Sequence, residues 1–315
     1  MKVVINSRTF AAMNKEPYAI LEAAGFETQF VAPSVSKEEF KAALKDADAM
    51  IAGTVKIDAE ILENCSKLKI IARYGAGVDN IDLEAAKRLG ITVTNAAGVN
   101  ANAVADLAMG LILDTRRGIS RANQLVHQGE YKYIIGRDVN QKTLGLIGFG
   151  AIAQAVADRA KGFGMQVLAY DPFIGQVPEK YASFVTLCDF DTAITQADIV
   201  SIHVPLTADT KDLFNTKTIG QMKEDAVLIN LGRGGIINEQ DLYECMKAGH
   251  LFGAGLDVNT VEPIEKDNPL LTLENVTITP HMGMFTAEVI HTMSMVCASN
   301  VVKKFQGEPV DYFVV

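Results

Sequence analysis

Cysteine is scarce in this chain, and none of the four residues (Cys65, Cys188, Cys245, Cys297) forms a Cys-X-X-Cys pair. That scatter suits a reducing compartment and provides no thiolate cluster, so no metal is expected. Positive charge is also short: 29 Lys and Arg stand against 38 Asp and Glu, a net charge of −9. A nucleic-acid binder normally carries a basic face, so nucleic acid is excluded as a partner. No apolar run approaches the length of a bilayer span, and the opening "MKVVIN" lacks the charged-then-apolar pattern of a signal peptide. These absences predict a soluble, cytoplasmic protein with no membrane partner. What is plentiful is apolar residues, 49% of 315. That is ample for buried cores and, at this length, for two domains.

Short β-rich runs alternate with helical periodicity almost from end to end. "KVVIN", "TQFVA", "AMIAG", "LKIIARYG" and "ITVTN" read as buried strands, with helices near 17–24, 37–46 and 82–89. The stretch 102–128 has no proline and reads as one long helix, although Gly110 and Gly118 weigh against its continuity. A second series follows: "TLGLIGFG", "QVLAYD", "DIVSIHV", "AVLINLG", "GAGLDV" and "VTITP", then a last helix near 286–306. The expected fold is α/β, two doubly wound parallel-sheet domains. Because the last helix returns after the second series has ended, the second domain is expected to be inserted into the first.

"TLGLIGFGAIAQAVADRAKGFGMQVLAYD" is strand, tight turn, helix, strand. Gly148 and Gly150 fill the first two positions of a G-X-G-X-X-G loop, and Ala153 replaces the third. A glycine at 150 lets a pyrophosphate approach the backbone of Phe149, Ala151 and Ile152 at a positive helix terminus. A glycine turn in an ordinary βαβ unit would look much the same. Asp171, closing the next strand, sharpens the reading, because a carboxylate there accepts hydrogen bonds from an adenosine ribose. It would repel a 2′-phosphate, and Pro172 and Phe173 bring no cation to offset it. NAD is therefore expected rather than NADP.

Three later segments, "INLGRGGIINEQDL", "GLDVNTVEP" and "TITPHMG", each end a strand, where ligands of open α/β sheets gather. They carry Arg233, Asp257 with Glu262, and His281. Alone, His281 could fill a loop, bind a metal or carry a proton, and any one of these charges could be solvated.

With "RYGAGVDN", "HVPLTADT", "NLGRGG", "DVNTVEP" and "TPH" in this order, the chain resembles the D-isomer-specific 2-hydroxyacid dehydrogenases over most of its length. The resemblance implies a Rossmann NAD-binding domain, residues 99–286, inserted into a flavodoxin-like substrate domain, residues 1–98 plus 287–315. It implies reversible conversion of a D-2-hydroxy acid to its 2-keto acid, with His281 as general acid/base. Glu262 beside the ring would stabilise its protonated form, and Arg233 would bind the substrate carboxylate. Asp257 is expected to accept from the nicotinamide carboxamide. His203, Val204, Pro205, Leu231, Gly232 and Gly283 would line the cofactor pocket. The substrate loop would use Arg73, the backbone N–H groups of Ala76 and Gly77, and Asn100. Either Arg8 or Arg73 is expected to meet a second anionic group, with structural salt bridges as the competing explanation.

Ala97 stands where many relatives carry proline, Asp106 replaces a common glutamate, and the tryptophan usual after the long helix is absent, with Tyr131 nearby. The best substrate expectation is a phosphoglycerate or a similar small hydroxy acid, with glyoxylate or hydroxypyruvate reduction as a neighbour. No C-terminal regulatory domain is expected. A homodimer through the helix near 102–128 is also implied. The different-class alternative is a non-catalytic NAD-sensing scaffold like the corepressors of this family. Formate dehydrogenase fits less well, since glutamine usually stands there in place of Glu262.

Overall fold

The computed structural model describes residues 1–315. The first series runs β1 (Lys2–Asn6), α1 (Glu16–Ala23), β2 (Glu27–Phe30), α2 (Lys37–Leu44), β3 (Ala49–Ala52), α3 (Ala59–Glu63), β4 (Ile70–Arg73), α4 (Leu83–Arg88) and β5 (Thr92–Thr94). The second runs α5 (Ala101–Arg117), α6 (Ile119–His127), β6 (Thr143–Ile147), α7 (Ala151–Gly162), β7 (Gln166–Tyr170), β8 (Val185–Leu187), α8 (Phe190–Thr195), β9 (Ile199–Ile202), α9 (Thr216–Gln221), β10 (Val227–Asn230), α10 (Glu239–Lys247), β11 (Gly253–Leu256) and β12 (Val276–Ile278). The last helix, α11, is Ala287–Gln306.

Two units result: Met1–Asn100 with Met284–Val315, and Ala101–Gly283. The first holds a parallel five-stranded sheet, β2-β1-β3-β4-β5, and the second a parallel seven-stranded one, β12-β11-β10-β9-β6-β7-β8. The strand runs explain the parallel pairing. β3 is "AMIA" and β10 is "VLIN", buried at every position, as a strand covered on both faces requires. In the first unit α11 docks on α1 and β4, burying Val289, Ile290, Met293, Cys297, Ala298 and Val301. At about 1.5–3 kcal/mol for each large aliphatic chain buried, this stripe is a main reason the helix returns to the first sheet. Thr286 caps its start by accepting from the Val289 N–H, and Gly307, in the left-handed region, ends it.

In the second unit α5 lies directly on β11. A Cβ on Gly253 would sit 2.5 Å from Thr115 Cγ2, which is why this strand reads "GAGL" instead of branched residues. The single helix expected over 102–128 is two helices. Gly118 takes φ +62 between them, and Asp114 Oδ1 accepts from the Ser120 N–H at 2.6 Å, opening α6. α5 is thereby committed to its own core, with ten buried residues, whereas α6 buries none. The short edge strand β8 was not among the expected strands.

Candidate active site

The seven-stranded sheet changes its winding direction between β6 and β9. Just beyond β6, Gly148 holds φ +90, and a Cβ on it would lie 2.9 Å from the His203 carbonyl oxygen, so only glycine closes this turn. Gly150 begins α7 with no side-chain cap, and a Cβ there would meet nothing within 4 Å. The amides of Ala151 and Ile152 are thus the uncapped positive end of a 12-residue helix, facing open space. Asp171 Oδ2 accepts from the Phe149 N–H at 2.9 Å and Oδ1 from the Phe173 N–H at 3.0 Å, tying the loop to the end of β7. The Phe149 ring is buried edge-on against Tyr181, so this residue anchors the loop and its amide is already engaged. Uncapped amides, an open glycine and a carboxylate one strand away fit a dinucleotide without a 2′-phosphate.

His203 Nε2 lies 2.9 Å from Ser201 Oγ, while Nδ1 is buried with no partner. Burial pushes its pKa down to about 4, so the imidazole is neutral at neutral pH. Val204 supports Gly232 through its carbonyl, which a Cβ on Gly232 would approach to 2.9 Å. The Pro205 carbonyl accepts from Thr210 Oγ1 at 2.6 Å, and Leu231 is buried.

The chemistry-bearing side chains sit at the ends of β10, β11 and β12, three adjacent strands. After β12, Thr279, Pro280 and His281 make a tight turn in which the His281 N–H donates to the Thr279 carbonyl at 3.0 Å. His281 itself is left-handed, with φ +51. Its Nδ1 lies 2.7 Å from Glu262 Oε2, and Glu262 Oε1 accepts from the Asn259 N–H at 3.1 Å. Partial burial pulls the Glu262 pKa upward. The hydrogen bond and charge of His281, the Asn259 N–H and the Arg233 charge outweigh that, leaving it below the usual carboxylate range. With Nδ1 committed to Glu262, Nε2 is the nitrogen left for a substrate oxygen. Arg233 follows β10 with Nη1 donating to the Gly232 carbonyl at 2.9 Å. Asn230 shapes that turn, accepting from the Gly232 N–H and donating to the Arg233 carbonyl, both at 3.0 Å. A Cβ on Gly234 would collide with the Asn259 carbonyl oxygen, so the loops after β10 and β11 are packed backbone to backbone.

Two of the expected site residues also hold the local structure. Asp257, expected to reach the nicotinamide, is 2% exposed. Its Oδ1 accepts from Thr279 Oγ1 at 2.6 Å and the Met282 N–H at 2.8 Å, and Oδ2 from the Gly283 N–H at 2.9 Å. Three of about four lone-pair sites are spent on the histidine turn, so Asp257 holds His281 in place. Gly283 belongs to the same clamp, since a Cβ there would lie 3.1 Å from Asp257 Oδ2. Arg73, expected on the substrate, braces its own loop. Nε donates to Asn80 Oδ1 at 3.2 Å, and Nη1 to the carbonyls of Ala52 and Tyr74. A Cβ on Gly75 would lie 2.7 Å from Nη1, so the loop rests on the guanidinium.

Above that brace the carbonyls of Gly75 and Ala76 accept from the Ala96 N–H and Asn95 Nδ2, at 2.9 and 2.8 Å. The N–H groups of Ala76 and Gly77 have no partner in their unit, which is the arrangement of an anion-binding nest. Asn100 Oδ1 is buried without a partner. Asn230, Asn259 and Glu239 were not anticipated. Glu239, the first residue of α10, accepts from the Thr260 N–H and Asn268 Nδ2 at 2.6 and 2.8 Å, fixing the loop that carries Glu262. Their only sequence signal was asparagine or glutamate beside a strand end or helix start.

Fold and site together define an α/β protein that binds NAD in its second unit and carries a hydrogen-bonded histidine–glutamate pair on neighbouring strand ends of that unit. Residues 109–283, more than half of the chain, match the family described as D-isomer specific 2-hydroxyacid dehydrogenase, NAD binding domain, and the chain belongs to that family. It is 41% identical over 300 residues to a D-3-phosphoglycerate dehydrogenase of Methanocaldococcus jannaschii, covering 94% of this chain but only 56% of that protein. It is 42% identical over 269 residues to a hydroxypyruvate reductase of Thermotoga maritima, covering 83% of this chain and 86% of that one. The TT0316 protein of Thermus thermophilus superposes over the whole of both chains with a TM-score of 0.93 and 33% identity.

Proposed function

We propose that this chain is an NAD-dependent dehydrogenase that interconverts a D-2-hydroxy acid and its 2-keto acid. The observation that carries the reading is the 2.7 Å pair of His281 and Glu262 on strand ends adjacent to that of Arg233. When bound, the nicotinamide supplies or accepts the hydride. In reduction, His281 Nε2 gives its proton to the carbonyl oxygen as the carbon is reduced. In oxidation the neutral imidazole takes the hydroxyl proton back. Glu262, ionised through the neutral range, stabilises the imidazolium and fixes the ring through Nδ1. Arg233 orients the substrate by its carboxylate and polarises the carbonyl. The first unit carries unpaired N–H groups at Ala76 and Gly77, an anion-binding arrangement, and the unpartnered Oδ1 of Asn100. Asp171 selects NAD by accepting from the ribose hydroxyls.

NADH oxidation with glyoxylate, hydroxypyruvate, phosphohydroxypyruvate and 2-oxoglutarate tests this reading. It also separates an enzyme from an NAD-sensing scaffold, because a protein that binds NADH and turns over none of them refutes catalysis. The substrates favoured are those named for the relatives, 3-phosphoglycerate, hydroxypyruvate and glyoxylate. A homodimer is supported by α6, which buries nothing and exposes Ile119 and Val126, and by Tyr131, Tyr133 and Ile135, each more than 80% exposed on the segment that follows. Sedimentation of wild type against a Tyr133→Asp, Ile135→Asp variant reads it, and a wild-type monomer refutes it. A reducing, cytoplasmic setting agrees with four free cysteines.

A further inference from the structure

One cation at a ligand-binding sheet end is unused by the fold. β1 runs into the segment from Ser7 to Asn14, which is tightly built. The Phe10 N–H donates to the Ser7 carbonyl and the Ala12 N–H to the Thr9 carbonyl, at 3.4 and 3.1 Å. The Phe10 ring is buried edge-on to Tyr18 and Tyr74, with centroids 5.3 and 6.2 Å away. Ala11 is left-handed, with φ +54, and its N–H donates at 3.0 Å to the buried Ser294 Oγ of α11. Ser294 Oγ donates in turn to the Ile290 carbonyl at 2.6 Å, and the Tyr74 hydroxyl lies 3.3 Å from it. An alanine stays left-handed only where its surroundings over-determine it, and such sites gather where ligands bind. The residue this clamp leaves outward is Arg8, exposed and without an ion pair or hydrogen bond to the rest of the chain.

Its place in the sheet gives that cation a meaning. In the order β2-β1-β3-β4-β5 the winding reverses between β1 and β3, the crevice where open α/β sheets take ligands. The nest at Ala76 and Gly77 follows β4, two strands from β1, or about 10 Å at the usual strand spacing of about 4.8 Å. That spacing suits a small molecule with an anionic group at each end. Arg73 is the competing cation at this edge, and it is spent on loop carbonyls.

We infer that Arg8 is a specificity-determining residue that binds the distal anionic group, carboxylate or phosphate, of a 2-keto acid whose own carboxylate lies in the nest. The inference rests on the dehydrogenase reading. It is tested by kcat/KM with NADH for pyruvate, 2-oxoglutarate and phosphohydroxypyruvate, using wild type, Arg8→Ala and Arg8→Lys. The tail that is recognised should lose about 10- to 150-fold in Arg8→Ala through KM, the span of a charge-assisted hydrogen bond. Pyruvate should stay within about twofold, as for a substitution on an exposed surface. Lysine should restore part of the loss, keeping the charge without the fork. Whichever of the carboxylate and phosphate tails loses more is the natural one. Equal losses on all three acids, or none on any, overturn the inference.

If wild type reduces no keto acid, the dehydrogenase reading fails by itself. The Arg8 site is then read by calorimetric binding of 3-phosphoglycerate and D-malate against D-lactate to wild type and Arg8→Ala. A preference for the doubly anionic ligands that vanishes with Arg8 upholds it, and identical binding by the two proteins overturns it.

Discussion

Asp257→Asn removes one charge and no volume, and the structure says what it should do. The carboxylate accepts three hydrogen bonds, two on Oδ1 and one on Oδ2, all from residues 279–283. An amide can keep the two Oδ1 bonds only by turning its NH2 against the Gly283 N–H, where two donors then meet at about the present 2.9 Å. One charge-assisted bond is lost, worth about 1.5–3 kcal/mol, and the two that survive drop to neutral strength, roughly half. With no water to relieve a site 2% exposed, the variant should lose about 3 kcal/mol of stability. The turn holding His281 at φ +51 should slacken, and a misplacement of about 1 Å at a reacting group costs about 100-fold. The expected outcome is a kcat near one hundredth of wild type, a lower midpoint in urea, and an NADH dissociation constant little changed. Wild-type kcat with a lowered midpoint would show that Asp257 serves the fold alone. A large rise in the NADH constant would return it to the cofactor.

Glu262→Gln should cut keto-acid reduction by about 100-fold, because it removes the carboxylate that fixes the His281 ring through Nδ1. A wild-type kcat in that variant refutes the pairing. His203 yields a stability prediction whose sign follows from its pKa of about 4 in the fold, set by burial. An unfolded histidine takes its proton near 6.5, so between there and about 4 the unfolded chain holds more protons and stability falls as pH falls. Urea midpoints at pH 7 and pH 5 should differ less in His203→Gln than in wild type, and an equal difference would show that another group drives the change.

Legibility followed the period of the pattern. Eleven of the twelve strands stood out as apolar runs, as strands covered on both faces require, although the edge strand β2, expected to be buried, is largely exposed. β8, three residues long with only Val185 buried, had too little pattern to show. The unbroken helix over 102–128 was the natural reading of uninterrupted apolar spacing, and one left-handed glycine at 118 defeats it. At the site, Gly148, Gly150, Asp171, Arg233, Glu262 and His281 stood out because glycine and proline frame them at strand ends. The residues that hold them did not. Asn230, Asp257 and Asn259 are buried, yet asparagine and aspartate after a strand ordinarily mark a solvated turn. Only the fold reveals that these particular turns face inward.

The same limit explains why two arginines at strand ends of one sheet part company. In sequence, Arg8 and Arg73 are equal candidates for an anionic ligand: Arg73 closes β4, and Arg8 stands two residues past β1. What separates them is the backbone that follows. After Arg73 come Tyr74 and Gly75, which fold back so that loop carbonyls and the glycine face meet the guanidinium. After Arg8, Phe10 is buried against Tyr18 and Tyr74 and Ala11 is pinned to α11, and no carbonyl bonds the guanidinium. A cation whose donors are met by main-chain oxygens is part of a scaffold, and one whose loop is held from the other side remains free for solvent or ligand. Swapping roles would therefore take more than moving a charge. Arg73→Lys should slacken the 75–77 nest and weaken every acid substrate alike, whereas Arg8→Lys should discriminate by the substrate's far end.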